Sequence, residues 1–112
     1  MRIELRDGQW AELRERITHG VDKELKRAIT RARLDPVDAF DFDTAVVAAF
    51  VRDWSVKDPD GTAIALTNGD PTTLSNLDAV MRAPDDVVEA LAKVATPLWT
   101  AVTVPNVPTP AS

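Results

Sequence analysis

The residue types that most often carry chemistry are scarce in this chain. His19 is the one histidine and cysteine is absent, so a His-based catalytic triad, a His-rich metal site and a thiolate nucleophile are excluded by count. His19 lies between Thr18 and Gly20, a setting typical of an exposed turn. Ser55 and Ser75 have no neighbouring base to activate them. The sequence therefore predicts a protein that is not an enzyme.

Carboxylates are more plentiful, and two groups of them could bind a hard cation. Asp58 and Asp60 with Gly61 resemble the start of a calcium loop, but the later ligands and the closing glutamate are missing, which favours a simple turn. A second group could gather a cation or supply paired acids, although capping of a helix N-terminus explains it more simply. Its members are Asp35, Asp38, Asp41 and Asp43. The four glycines form no phosphate-binding loop, so we expect neither a metal nor a cofactor.

Charge is distributed unevenly along the 112 residues, whose formal net charge is −5. Residues 1–33 carry nine Lys/Arg and six Asp/Glu, giving +3, whereas residues 34–112 carry four and twelve, giving −8. The basic residues are interleaved with acids, so a nucleic-acid partner is not expected. The asymmetry either steers neighbouring copies together into a homo-oligomer or reflects solvated faces of different sign.

Hydropathy argues against a membrane location. No apolar run approaches the roughly 20 residues that a membrane helix requires. The N-terminal residues alternate charged and apolar types where a secretory signal needs an apolar stretch. We therefore expect a protein of the cytoplasm with no membrane partner.

The expected fold class is α+β: a small, mostly α-helical single domain over residues 1–103, with an N-terminal β-hairpin and a short two-stranded turn element. Arg2–Arg6 and Gln9–Arg14 flank Asp7-Gly8, a strong hairpin signal, although Trp10, Leu13 and Ile17 also fit a helical spacing. Thr18-His19-Gly20 can then cap a helix over Val21–Arg33. Its apolar stripe consists of Val21, Leu25, Ala28, Ile29 and Ala32.

The middle of the chain is its most apolar part. After a loop at Leu34–Asp43, the segment Thr44–Arg52 is apolar on nearly every side and is predicted to be helical. Such a helix must be buried, either at the centre of this fold or in an oligomer contact. Pro59 and the Asp-Gly pair behind it then predict a reversal at Asp58–Gly61, flanked by two short arms within Trp54–Thr67.

Two more helices and a tail complete the chain. A short helix capped by Asp70, Thr72 or Thr73 is predicted to run through Met81. The last helix opens after Pro84 with acids in its first turn, and Pro97 is expected to kink or end it. Residues 104–112 contain three prolines and no charge, which predicts an extended or disordered tail. Three tryptophans are expected to anchor the core, the last being best placed for a surface role; they are Trp10, Trp54 and Trp99.

The segment from Phe40 to Ala95 resembles the small tail assembly chaperones of long-tailed (siphovirus-type) phages of actinobacterial hosts. The resemblance is carried by an apolar helix that ends in Val51-Arg52-Asp53-Trp54, an Asp58-Pro59-Asp60-Gly61 turn, Ile64-Ala65-Leu66-Thr67, a short helix around Leu74–Leu77 and a helix after Pro84-Asp85-Asp86. Ala65 stands where these proteins more commonly have proline. The hairpin turn Asp7-Gly8 with the opening Trp10–Arg14 is also similar to small phage morphogenesis proteins.

The resemblance implies a non-enzymatic assembly factor in the host cytoplasm. Such chaperones bind the tape measure protein, a long and aggregation-prone helical chain, and keep it soluble while tail tube protein polymerises around it. We expect the partner surface on the last helix, at Leu91, Leu98, Trp99 and Val102. Two alternatives remain open: a structural virion protein, such as a tail or head-to-tail connector subunit, and a small antitoxin-like regulatory protein.

Overall fold

A computed structural model describes residues 1–34 and 39–103, with side chains described over 1–30 and 42–100. The expected α+β class is confirmed, because four helices pack with a three-stranded antiparallel sheet of order β1-β2-β3. The strands are β1 (Arg2–Glu4), β2 (Trp10–Leu13) and β3 (Val51–Trp54). The helices are α1 (His19–Leu34), α2 (Ala39–Phe50), α3 (Leu77–Arg82) and α4 (Asp85–Thr103). The tail predicted at 104–112 and the acids Asp35 and Asp38 lie outside the described residues.

The N-terminal hairpin forms as predicted. Asp7 and Gly8 both have positive φ, 57° and 74°, which is the conformation a tight hairpin turn requires and which Asp-Gly adopts readily. β1 and β2 pair antiparallel with Ile3 opposite Ala11. Ala11 and Leu13 are buried on one face of β2, so strand alternation prevails over the helical spacing that also fits this segment.

The third strand was not predicted, and the expected helix through Arg52 is wrong at its end. α2 stops at Phe50 and the chain enters β3 directly, pairing Ala11 with Trp54 and Leu13 with Val51. The pairing register between β2 and β3 shifts between Glu12 and Leu13, as it does at a β-bulge. The strand is favoured because Phe50 O accepts a hydrogen bond from Arg14 N at 2.7 Å, which ties the end of the helix to the sheet.

Burial of the second half of α2 on all sides organises the core. Every residue from Ala45 to Phe50 is at most 6% exposed, which confirms the central helix and makes an oligomer contact unnecessary to explain this run. α1, α3 and α4 all pack against it. α2 begins at Ala39, so the loop predicted to reach Asp43 is wrong over its last five residues, and Asp41 and Asp43 belong to the helix. The buried core residues on these three helices include Val21, Leu25 and Ala28 of α1, Ala79 and Val80 of α3, and Val87, Leu91 and Ala95 of α4.

The reversal at Asp58–Gly61 is confirmed. Gly61 N donates to Asp58 O at 2.9 Å, and Gly61 has the positive φ of 88° that a glycine tolerates best. The two arms meet in a single bridge between Lys57 and Ala63 instead of forming strands. Trp54 is 7% exposed, as predicted for a core anchor, and its Nε1 donates to Ile64 O at 2.9 Å. That bond fixes the returning arm against β3.

The short helix α3 begins later than predicted. Asp70 folds back on its own loop instead of capping a helix, since its Oδ1 accepts from Thr72 N at 2.8 Å. α3 starts at Leu77 and leaves Leu74 in the preceding turn. Pro97 lies inside α4, which continues to Thr103, so the proline does not end that helix.

Asn76, which is 3% exposed, connects three parts of the fold. Its Oδ1 accepts from Thr67 N at 2.8 Å and from Asn68 N at 3.0 Å. Its Nδ2 donates to Asn68 Oδ1 at 2.9 Å and to Val51 O at 3.5 Å. Asparagine before a helix usually caps that helix, but this side chain makes no capping bond to α3. It fastens the 67–68 loop to β3 instead.

We expect Asn76→Ala to lower the free energy of unfolding by about 2 kcal/mol, because part-buried backbone N–H groups lose their acceptor. Urea denaturation would measure it. Ser75→Ala is the matched control: Ser75 Oγ accepts only from exposed Gly69 N, at 3.2 Å, so its loss should cost less than about 1 kcal/mol. Equal effects of the two substitutions would contradict the role given to Asn76.

The start of α1 is pressed against the 70–72 loop. Thr18 Oγ1 donates to Pro71 O at 2.8 Å and accepts from Val21 N at 3.3 Å, so Thr18 both caps the helix, as predicted, and binds the loop. A Cβ atom on Gly20 would lie 2.6 Å from Thr72 O, closer than van der Waals contact permits. Glycine is needed here for close approach.

Gly20→Ala should therefore destabilise the fold by about 1–3 kcal/mol, the typical cost of overpacking, even though alanine favours helix. Gly69→Ala is the control, since its Cβ would meet neighbours only at an ordinary 3.8 Å. Thermal unfolding of both variants tests the difference. A Gly20→Ala protein as stable as the wild type would mean that the 70–72 loop moves away from the added methyl group without loss of stability.

Candidate functional site

The structure separates the four residues expected to bind a partner. Leu91 is fully buried in the core and offers no side-chain surface. Leu98 and Trp99 are half-buried against the core. Val102 belongs to α4, but its side chain lies outside the described ones. The outer end of α4 therefore retains at most part of the expected surface.

Trp99 is held by two contacts within the fold. Its ring packs against Phe42 with centroids 5.6 Å apart and an interplanar angle of 54°, and its Nε1 donates to Asp22 Oδ1 at 2.8 Å. Asp22 Oδ2 also pairs with Lys26 Nζ at 2.9 Å. Burial raises the pKa of Asp22, but hydrogen bonds from Lys26 and Trp99 outweigh it, and the net pKa lies below the ordinary aspartate value. Trp99 thus joins α4 to α1 and α2.

The largest exposed apolar side chains occur elsewhere. Among the large apolar residues whose side chains are described, those classed as exposed are Met81, Leu77 and Met1, at 69%, 38% and 47%. Leu77 and Met81 are four residues apart on α3 and therefore share one face of that helix. Ala79 and Val80, on the other side of α3, are buried in the core. α3 has apolar residues on both faces, and α2 can cover only one of them.

A groove runs beneath this exposed face. It has a volume of about 400 Å³ and lies between α1, α2 and α3. Its apolar lining consists of Ala28, Ala45, Leu74, Leu77 and Met81, and its polar lining of Glu24, Thr44 and Asp78. Alanine in both α1 and α2 leaves the space open, because a methyl group fills little of the gap between helices. We call this the α3 groove.

The two acids of the α3 groove are held in weak ion pairs. Glu24 Oε1 lies 2.7 Å from Arg27 Nη1, and Asp78 Oδ2 lies 3.0 Å from Arg82 Nη2. All four side chains are more than a third exposed, and each pair is local to one helix. Such exposed pairs contribute only about 0.3–0.5 kcal/mol, so either acid can exchange its partner for an incoming cation.

Residues considered for catalysis have structural roles or no described partner. Ser55 Oγ accepts from Trp10 N at 2.8 Å, which stabilises the edge between β2 and β3. Asp58 Oδ1 accepts from Asp60 N and Thr62 N, both at 2.9 Å, as a turn residue does. His19 is exposed at the first residue of α1. Among the side chains described, those of residues 1–30 and 42–100, no three His, Cys, Asp or Glu cluster as metal ligands would.

Sequence reasoning did not identify the α3 groove, although a signal for it was present. Four of the six residues from Leu77 to Arg82 are apolar, namely Leu77, Ala79, Val80 and Met81. At 3.6 residues per turn they span more than half of the circumference of a helix, so they cannot all face the same side of it. An excess of apolar residues on a six-residue helix indicates that some of them remain uncovered. Which of them remain exposed depends on how α2 and α3 pack.

No protein-family model, curated protein or solved structure matches this chain. In the part of the chain that the structure describes, no helix is both long and apolar enough to cross a membrane.

Trp99→Phe should raise the pKa of Asp22 toward the ordinary value, because the charged form loses a hydrogen bond while ring packing is kept. The lowered pKa stabilises the fold above the ordinary aspartate pKa, and this contribution is lost as the pH falls through the lower pKa of the folded state. The variant should lose about 1 kcal/mol at neutral pH and less in acid. NMR titration of Asp22 and urea denaturation measure both effects.

Trp10→Phe makes the same change in β2 and removes no contact to Asp22, so it should leave that pKa unchanged. If Trp99→Phe also left it unchanged, the indole hydrogen bond would have no energetic role.

Proposed function

We propose that this chain is a non-enzymatic tail assembly factor of a long-tailed phage, which binds the tape measure protein in the host cytoplasm and keeps it soluble. The resemblance over Phe40–Ala95 motivates the proposal. The single structural observation that supports it is the α3 groove, with Met81 at 69% exposure beside it. A long helical client exposes apolar stripes until tail tube protein encloses it, and a small protein with an open apolar groove can cover such a stripe.

The groove suits the apolar stripe of a helix. Leu77 and Met81 lie one turn apart, so they can contact residues that are themselves spaced by three or four along a client helix. Methionine adapts its shape to irregular partners, which suits a surface that must bind many similar segments of one long chain. Each contact can be weak, because several copies along the same client gain from effective concentration.

Charge favours a client helix with lysine or arginine beside its apolar stripe. Glu24 and Asp78 lie at the groove, and the pairs that now hold them are weak enough to exchange. The net charge of −5 attracts a basic client over a longer distance as well. We favour the groove over the end of α4, since Leu91 is buried and Trp99 is bonded to Asp22.

The proposal predicts that a neighbouring gene encodes a long helical tape measure protein, and co-expression with that client tests it. The wild-type chain should raise the soluble fraction of that client and be absent from purified virions. Met81→Glu should weaken binding about tenfold or more, since a methionine removed from an apolar contact forfeits roughly 1.5–3 kcal/mol. Its own stability should change little, because Met81 is already exposed.

Ala90→Glu is the matched control, because it adds the same charge at an exposed position of α4. Client binding that survives Met81→Glu would exclude the α3 groove. If the chain were retained in virions in stoichiometric copies and had no effect on client solubility, the result would support a structural virion protein instead of a chaperone. Rescue of growth against a neighbouring toxin would instead support the antitoxin-like alternative.

A further inference from the structure

A second cavity, of about 210 Å³, lies between the segment after β2, the start of α1, α2 and the 68–76 loop. Arg14 and Arg16 contribute to its wall, and both are exposed. Neither arginine forms an ion pair with any side chain that the structure describes. Arg14 makes one long hydrogen bond, from Nη2 to Asn68 Oδ1 at 3.5 Å. Since a guanidinium has five N–H donors, almost all of this donor capacity is unused among the side chains that the structure describes.

Four of the other five side chains in the wall that can donate are already used within the protein, the fifth being the Ser75 hydroxyl, which accepts from Gly69 N. Thr18 donates to Pro71 O, Thr73 to Asp70 O, Asn68 to Arg52 O and Asn76 to Val51 O. A ligand entering this cavity therefore finds two guanidinium groups as its main hydrogen-bond donors. Guanidinium recognises carboxylate and phosphate oxygens best, because its parallel N–H groups match their geometry.

The floor of the cavity is apolar and buried. Val21, Ala48, Ala49 and Val51 line it at 0–6% exposure, and Ile17 is half-buried beside them. The cations at the exposed wall and the methyl groups at the floor favour a ligand that has a negative group at one end and an apolar body at the other. An engineered cavity of about 150 Å³ binds benzene, so this one has room for roughly eight non-hydrogen atoms.

We propose that this cavity binds a carboxylate with a short branched aliphatic body, the anion contacting Arg14 and Arg16 and the aliphatic part reaching Val21 and Val51. Two sources share this chemistry: a free aliphatic acid and the C-terminal carboxylate of a peptide that ends in an aliphatic residue. The site is separate from the α3 groove and does not depend on the proposed function.

Asp70 provides an internal check on the sign of the ligand's charge. It belongs to the same wall, and hydrogen bonds from the Thr72 hydroxyl and backbone N–H lower the pKa of its carboxyl, so it is charged at neutral pH. Its negative charge opposes an anion. Removing Arg14 or Arg16 should thus weaken binding, whereas Asp70→Asn should strengthen it while keeping the Oδ1 acceptor for Thr72.

The experiment is an NMR titration of the full chain with 4-methylpentanoate, N-acetyl-leucine, N-acetyl-leucinamide and inorganic phosphate. We expect millimolar binding of the first two, with shifts at Ile17, Val21 and Ala49. The neutral amide should bind at least about tenfold more weakly, since it lacks the charge. Tighter binding of N-acetyl-leucine than of 4-methylpentanoate identifies a peptide C-terminus, and the reverse identifies a free acid.

Variants decide whether the arginines are responsible. Arg14→Gln and Arg16→Gln should each weaken 4-methylpentanoate binding about threefold to tenfold, and Asp70→Asn should strengthen it about twofold to threefold. Lys23→Gln removes the same charge from an exposed position of α1 outside the cavity and should have little effect. Any one of three results would overturn the proposal. The acid and the amide could bind with equal affinity, or phosphate could bind more tightly than either acid. Lys23→Gln could also lose as much binding as the arginine variants do.

Discussion

A helical segment that is apolar on every side is stable in water only when other elements enclose it, and the second half of α2 imposes this condition on the whole chain. From Ala45 to Phe50 no side chain can face solvent without cost, so α1, α3 and α4 must surround it. The sheet closes the remaining end, because β3 continues from Phe50 without a loop. The position of β3 in turn fixes the Asp58–Gly61 reversal through Trp54 and the 67–68 loop through Asn76.

Enclosure by short elements leaves gaps, and both candidate sites are such gaps. α3 has only six residues, so it covers α2 but leaves Leu77 and Met81 outside. The 68–76 loop covers Val51 and Ala49 with a polar layer that does not fill the space below Arg14 and Arg16. Small residues on α2 contribute to both openings: Ala45 lines the α3 groove, and Ala48 and Ala49 line the second cavity.

Local signals in the sequence were sufficient wherever neighbouring residues decide the structure. Asp7-Gly8 and Asp58–Gly61 form turns because their own backbone preferences require it, and Thr18 caps α1 as its position indicates. Val51–Trp54 could not be assigned in this way, since its strand exists only by pairing with β2, some 40 residues earlier. The predicted start of α3 is wrong for two reasons: Asp70 binds Thr72 in its own loop instead of capping a helix, and Asn76 is fixed by a contact to Val51 that sequence spacing does not reveal. The candidate sites could not be predicted from local signals either. Arg14 contacts Asn68, which is 54 positions away in the sequence, and Leu91 is buried only because α4 packs against other helices.

Four consecutive residues before and at the start of α3 divide their side chains between the two openings. Leu74 and Leu77 line the α3 groove, whereas Ser75 and Asn76 line the second cavity. Because these residues share one short stretch of backbone, an occupant that shifts it on one side also alters the lining on the other. Thermodynamic linkage makes such an influence reciprocal, with the same coupling free energy whichever occupant arrives first.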